Sequence, residues 1–540
     1  MNRTLNVALA QLNFLVGDIE GNSERMVKEA KAQHLQKVDL VLFSELSLTG
    51  YPPEDLLFRL DFYQRCMKQL NSLKDSSQNI GIVIGHPWKE NKKYYNALSF
   101  FYQRKIIARY FKQQLPNYGV FDEKRYFYSS NKTCVVSFKG YKLGFLICED
   151  AWSNDHVDSI KIKGADIIII INSSPYSRTK QDIRSKLLKC HCERIHLPII
   201  YLNQVGGQDE LIFDGGSKVF DSNGNVTHHL SQFTEEVLQC KFNNYEPVPI
   251  NNLSKTLSPI AEVYEALVMA TRDYVNKNRF SGVILGLSGG IDSALTMVIA
   301  VDALGKDKVH SVMMPFKYTT KTSINAAYEQ TGLLNSKFTI VSIETMYDAF
   351  VAGLSSLFVN SIPDKTEENL QARCRAVILM AISNKSGGLV LTSSNKSEYS
   401  VGYTTIYGDM AGGFAVLKDV SKTLVFELAK YRNTISQVIP NSVINRSPSA
   451  ELASGQLDQN TLPPYHVLDA ILEGYIEHDK SVNELVSIGF DEVTVRNVIK
   501  LVDINEYKRR QAPIGPRVTI RNLNKDRRYP ITSAFGRKNW

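Results

Sequence analysis

Val283-Ile284-Leu285-Gly286-Leu287-Ser288-Gly289-Gly290-Ile291-Asp292-Ser293-Ala294-Leu295 reads as a buried strand, a tight turn and the approach to a helix over 294–303. Such a junction offers free backbone N–H groups and the positive end of a helix dipole, which together make an anion site. The glycines let the backbone approach the anion, and Ser288 and Ser293 add hydroxyl donors. Asp292 would repel a bare phosphate, so its place here makes sense if it holds Mg2+ against the phosphates. This is not a Walker loop: the nearest candidate, Gly305-Lys306-Asp307, lacks the hydroxyl and the upstream glycine. The bland alternative is a Gly-rich turn between strand and helix.

A chain of 540 residues can hold two or more full cores, and its composition is that of a soluble globular protein. The most apolar run, Ile167 to Ile171, is far too short to span a bilayer, and residues 1–8 lead into a strand-like pattern without a signal-peptide core. Seven cysteines with no export signal are expected as reduced thiols in the cytoplasm. Cys190 and Cys192 lack further ligands at zinc-finger spacing. The net charge of +8 equals that of residues 505–540, which hold ten Lys/Arg and two acids. A basic tail suits nucleic acid, a membrane surface or a phosphorylated small molecule, and composition does not choose among them.

Strand-like runs at 38–43, 81–85, 142–147 and 166–171 alternate with helix-like segments at 22–37, 55–73 and 180–196, an α/β layered pattern. Residues 243–252 break every periodicity. The expected division is a first domain over 1–243, a linker over 244–258 and a second domain over 259–540. Within the second domain, strand-like 309–314 and 389–392 precede helical segments and a Pro/Gly/Arg-rich tail after about residue 435.

Three apolar runs of the first domain end in reactive side chains: Glu45, Lys112 and Cys148. Catalytic groups of α/β folds sit at such carboxyl ends of strands. Glu149 and Asp150 would hinder thiolate formation at Cys148, a deficit that a base and a cation from Glu45 and Lys112 could meet.

This trio resembles the Glu-Lys-Cys triad of the nitrilase/amidase superfamily, and the match extends over Phe43–Pro52, Lys112–Glu123, Asn203–Asp209 and Phe213–Ser217. The resemblance implies that Glu45 is the general base, Cys148 the nucleophile, and Lys112 with the backbone N–H of Glu149 the oxyanion donors. Glu123 would position Lys112 or assist proton transfer. Ser288-Gly289-Gly290-Ile291-Asp292-Ser293 resembles the pyrophosphate loop of the ATP pyrophosphatases.

The combination is similar to the glutamine-dependent NAD synthetase family over nearly the whole chain, through Glu368–Arg373, Leu391–Glu398, Tyr407–Gly413, Ser447–Leu452 and Leu462–Tyr465. It implies a nitrilase-like α-β-β-α sandwich followed by a Rossmann-like adenine nucleotide alpha hydrolase domain with a parallel sheet. ATP, L-glutamine and deamido-NAD+ would be substrates, with Mg2+ held by Asp292 and Glu398. Glutamine would meet Tyr118, Glu149, Ser174 and either Lys180 or Arg178. ATP would meet Gly286, Leu287, Ser288, Gly289, Gly290, Ile291, Asp292, Ser293, Arg373 and Thr392. Deamido-NAD+ would meet Asn369, Glu398 and Lys508. The resemblance further implies a cytoplasmic homo-oligomer with no nucleic-acid or membrane partner. Another amidotransferase of the same chemistry, or a tRNA-modifying pyrophosphate-loop enzyme, stands as the alternative.

Overall fold

A computed structural model describes residues 3–359, 361–453, 455–456 and 458–535; Arg537 and Lys538 of the basic tail lie outside the described residues. The chain divides into two compact units between Pro259 and Ile260.

Ile167 to Ile171 occupy the strand Ile167–Asn172, paired in parallel on one side with Tyr141–Ile147 and on the other with Ile199–Asn203. All five isoleucines are fully buried, as befits a strand covered on both faces. They belong to a six-stranded sheet that faces a seven-stranded one. In the second sheet the strand Thr4–Gln11 alternates: Leu5, Val7 and Leu9 pack with Leu143, Phe145 and Ile147 of the opposing sheet. Ala8 and Ala10 instead meet Met26, Phe62 and Leu70, from the helices Ile19–Leu35 and Leu60–Ser76. Val157 and Leu188, from helices on the far side of the six-stranded sheet, complete the α-β-β-α layering.

The expected linker is tied to the first unit. Glu246–Pro247 pairs with Phe242 and Asn243, Val248 N donates to the Lys241 carbonyl at 2.8 Å, and Ser254 N to that of His229 at 3.3 Å. Lost periodicity here marks backbone that finds its partners on neighbouring strands without following their pattern.

The second unit holds a five-stranded, wholly parallel sheet in the order Lys337–Ile340, Val309–Met313, Val283–Gly286, Leu389–Thr392, Phe414–Ala415. The first strand of the unit therefore lies beside the fourth, and the connections diverge there, which opens a crevice at the strands' carboxyl ends. The helix after Val283–Gly286 runs from Ile291 to Leu304 with Gly290 at its N-cap, three residues earlier than the apolar pattern indicates. Asp292 and Ser293 thus belong to its first turn. Leu468, Ile471, Leu485, Val495 and Ile499 form a separate helical core in the C-terminal part. No helix among the described residues is long and apolar enough to cross a membrane.

Candidate active sites

The strand Tyr141–Ile147 ends at Cys148, which begins a short helix to Trp152 and has a φ of 45°, in the left-handed region. A non-glycine residue held there is strained, a condition common at functional turns. Cys148 and Glu45 are both buried, and so is Lys112, at the end of a third strand. Lys112 Nζ donates to Glu45 Oε1 at 2.7 Å and to Glu123 Oε1 at 2.8 Å. Asn96 Nδ2 also donates to Glu45 Oε1 at 2.7 Å, and Ser173 N donates to Glu45 Oε2 at 2.9 Å. The sequence-predicted triad and Glu123 are gathered in one buried cluster.

Its electrostatics fix the resting protonation. Burial pulls the Lys112 ammonium towards neutrality, but the charges of Glu123 and Glu45 outweigh it and hold its pKa well above the ordinary value. Burial pushes the Cys148 thiol well up, helped by the charges of Glu45 and Glu149 and opposed by Lys112. The thiol is therefore protonated at neutral pH and needs a base as it attacks. Burial lifts the Glu123 carboxyl to about 7 against the pull of Lys112.

Around this cluster Tyr118 Oη donates to Glu149 Oε1 at 2.9 Å. Ser174 N donates to Asn203 Oδ1 at 2.9 Å. The Lys180 ammonium lies 4.2 Å from the centroid of the Trp152 ring, four residues beyond Cys148, whereas Arg178 is exposed. Sequence reasoning missed Arg184, which is buried, pairs with both oxygens of Asp214 at 2.8 and 3.0 Å, and donates to the carbonyls of Ser174 and Pro175.

The second unit carries a cavity of about 610 Å³ at the crevice of its sheet. Gly286, Leu287, Ser288, Gly290, Ile291, Asp292, Ser293, Thr392, Asn369, Glu398 and Lys508 all line it. The two loop serines brace each other, Oγ to Oγ at 3.0 Å, and Gly290 N donates to Ser288 Oγ at 3.2 Å. Two of the expected residues lie off the wall of this cavity. Gly289 does not line the cavity: with a φ of 78°, it lies where a Cβ would be 2.3 Å from the Ser323 carbonyl oxygen, so it is glycine for backbone packing. Arg373 does not line it either; it is exposed, and its Nε donates to the Ile406 carbonyl at 3.3 Å. Arg375, on another face of the same helix, lines the cavity and donates to the Met314 carbonyl at 3.0 Å.

Lys422, also missed from the sequence, links the two acids of this site: its Nζ donates to Asp292 Oδ2 at 2.5 Å and Glu398 Oε1 at 3.2 Å. Asn395 Nδ2 donates to Asp292 Oδ1 at 2.8 Å. Burial lifts the Glu398 carboxyl to about 8 despite Lys422, with Asp292, Asp458 and Asp409 adding to the rise. Thr405 Oγ1 donates to Asn369 Oδ1 at 2.7 Å, and the Lys508 ammonium donates to the carbonyls of Gly402 and Thr404 at 2.8 and 2.9 Å. Among the described residues no three His, Cys, Asp or Glu side chains gather as a metal cage. Mg2+ needs none, because it takes one or two carboxylates and completes its shell with phosphate oxygens and water. Asp292 and Glu398, drawn together by one ammonium, fit that requirement.

A buried Cys-Glu-Lys cluster on an α-β-β-α sandwich and a pyrophosphate-type loop on a parallel sheet define a carbon–nitrogen hydrolase joined to a nucleotide-using synthase. The carbon-nitrogen hydrolase family matches residues 6–244, and the NAD synthase family matches residues 263–512. The glutamine-dependent NAD(+) synthetase of Acinetobacter baylyi is 47% identical over 544 residues, covering 99% of each chain. That of Xylella fastidiosa strain 9a5c is 44% identical over 545 residues, covering 99% of this chain and 100% of its own. The solved structure of the Acinetobacter baumannii enzyme in complex with adenosine diphosphate matches with a TM-score of 0.81 and 46% identity, over 98% of each chain. The chain belongs to the glutamine-dependent NAD(+) synthetases, carbon–nitrogen ligases of NAD biosynthesis that combine a glutaminase with an NAD synthase.

Proposed function

We propose that Cys148, Glu45 and Lys112 release ammonia from glutamine and that the cavity bounded by residues 286–293 uses it to amidate adenylated deamido-NAD+. The observation that carries the first half is the Lys112 ammonium seated between Glu45 and Glu123 at 2.7 and 2.8 Å, beside a thiol that burial keeps protonated. Glu45 takes the thiol proton as sulfur attacks the side-chain amide carbon of glutamine. Lys112 and the backbone N–H of Glu149 stabilise the oxyanion that forms. The proton passes from Glu45 to the departing nitrogen and ammonia leaves. Water, deprotonated by Glu45, then cleaves the thioester to glutamate and free Cys148. Glu123 keeps Lys112 in place, and Tyr118, Glu149, Ser174 and Lys180 hold the substrate. Lys180, half-buried over Trp152, is better placed than exposed Arg178 for the glutamine carboxylate.

In the cavity the nicotinate carboxylate of deamido-NAD+ attacks the ATP α-phosphorus, and pyrophosphate departs onto the N–H and hydroxyl groups of residues 288–293. Ammonia then attacks the acyl carbon, and AMP leaves with both electrons of the cleaved C–O bond, giving NAD+. The adenosine diphosphate bound by the Acinetobacter baumannii relative supports ATP as the nucleotide. Thr392 and Arg373, with Arg375 on the cavity wall, serve the ATP, and Asn369, Glu398 and Lys508 the deamido-NAD+. Mg2+ would be held by Asp292 and Glu398 and, when bound, would neutralise phosphate charge. Ammonia lost to water takes a proton and ceases to be a nucleophile, so direct hand-over is part of the proposal. The enzyme works in the cytoplasm, in keeping with seven free cysteines, and as a homo-oligomer.

The test is Cys148→Ala in the full chain. Synthesis with glutamine should vanish while synthesis with ammonium salts continues. Loss of both activities, or of neither, refutes the division of labour.

A further inference from the structure

Asp150 lies two residues beyond the nucleophile, and its sequence position reads as a charge that hinders the thiolate. The structure gives that charge other work. Asp150 is fully buried, and both of its oxygens face donors. Oδ1 accepts from the backbone N–H groups of Gln113 and Gln114 at 2.9 and 2.7 Å. Oδ2 accepts from Tyr110 Oη at 2.7 Å and from Ile147 N at 3.1 Å. Three of these donors flank Lys112 in the chain, and the fourth immediately precedes Cys148.

We propose that Asp150 is a positioning residue for glutamine hydrolysis: one carboxylate fastens the segment that carries Lys112 to the turn that carries Cys148. The inference rests on the roles given above to Cys148 and Lys112. All four contacts are donations to oxygen, two on each oxygen, so the full set is available only to a carboxylate. An asparagine would turn an NH2 towards one pair of donors and leave at least one backbone N–H of that pair unpaired, in a place that water does not reach. The strained φ at Cys148 makes the fastening more consequential, because a turn held in a sparsely populated conformation relaxes once its restraint is removed. Lys112 reaches the oxyanion from a different strand, so its distance from the reacting carbon depends on how those two segments are joined. Asp150 touches neither substrate nor thiol in this arrangement, and it acts through the distance between two groups that do.

The test uses Asp150→Asn and Tyr110→Phe in the full chain beside Cys148→Ala. Displacing a catalytic group by about 1 Å costs on the order of 100-fold in rate. Asp150→Asn should therefore lower kcat for glutamine-driven synthesis by ~10- to 100-fold while KM for glutamine stays within about threefold, because Tyr118, Ser174 and Lys180 are untouched. The pH profile of Cys148 alkylation by iodoacetamide should also move to higher pH, since the thiolate loses the nearby ammonium. Tyr110→Phe, which removes one donor of the four, should show the same split at smaller amplitude. Unchanged kcat with an unchanged alkylation profile in both variants overturns the inference, as does a rise in KM with kcat preserved. If Asp150→Asn does not fold, Tyr110→Phe decides alone by the same criteria. Should Cys148→Ala retain glutamine-driven synthesis, the underlying reading falls instead, so the two failures are distinguishable.

Discussion

Lys112→Met puts the electrostatics of the glutaminase site to a direct test. The substitution keeps most of the side-chain volume and removes one charge from a group that is 1% exposed. Glu45 and Glu123, at 0% and 5% exposure, then share a dry site without the cation that both contact. Removing one partner of a buried ion pair costs about 3–5 kcal/mol. At about 2–4 °C of Tm per kcal/mol for a unit this size, the first unit should melt roughly 6–20 °C lower near pH 8. The loss must depend on pH. Burial already raises Glu123 from 4.5 to about 7, so the folded form holds that proton more tightly than the unfolded chain does. A raised folded pKa contributes stability that is complete below the unfolded value and is lost as pH climbs through the folded one. Without the ammonium, Glu123 takes its proton at still higher pH. The Tm deficit relative to the parent should accordingly be largest near pH 8 and shrink towards pH 5. Calorimetry of the full chain across this range reads it. A deficit equal at both ends, or no deficit, would refute the buried-pair account, whatever the variant does to activity.

The second unit gives two sharper activity tests. Asp292→Ala should abolish synthesis from both glutamine and ammonium while glutamine hydrolysis persists at some level, read by NAD+ and glutamate assays on one preparation; surviving ammonium-driven synthesis would remove Asp292 from the site. Gly289→Ala puts a Cβ where 2.3 Å separates it from the Ser323 carbonyl oxygen, in a backbone region that costs of order 1–3 kcal/mol for a non-glycine residue. It should lower kcat/KM for ATP by ~10- to 100-fold with glutamine hydrolysis intact, and an unaffected KM and kcat for ATP would mean that the loop tolerates movement at that point.

Glu45, Lys112 and Cys148 were readable because each closes an apolar run, and the end of a strand is visible in local sequence. Their supports were not. Asp150 finds three of its four donors 36 to 40 residues upstream, and Lys422 reaches Asp292 across 130 residues. Such meanings exist only once the strands are placed. Arg375 was not singled out for a different reason: two residues along a helix turn a side chain by about 200°, so Arg373 and Arg375 lie on different faces and local sequence does not say which one meets the cavity. Gly289 shows a third kind of limit, because a turn that must pass close to an anion and one that must pass close to a carbonyl ask for the same residue. The parallel order of the second sheet was expected as a class, whereas the early start of the Ile291–Leu304 helix was hidden by the polar residues of its first turn.

The basic tail shows that located charge is not the same as available charge. Arg509, Arg510 and Arg527 all pair with Glu506, two of them fully inside the fold, and Arg517 pairs with Asp526 at 2.6 Å. Arg521 pairs with Asp479. Four of these five pairs lie within the segment after Ile504, where the one carboxylate of Glu506 faces three guanidinium groups and cannot neutralise them all, and the Arg521–Asp479 pair ties the segment to the rest of the unit. Lys508 is different: it lines the cavity and donates to two carbonyls, and burial draws its pKa down against the charge of Asp409. A cation that burial makes costly, at the wall of the cavity proposed for phosphorylated substrates, gains most from an incoming anion. Glu506 and Asp526 are already counted in the formal +8 of residues 505–540, so of the pairs named only that of Arg521 with Asp479 lowers it, and Lys508 of this group lines the cavity proposed for the nucleotides.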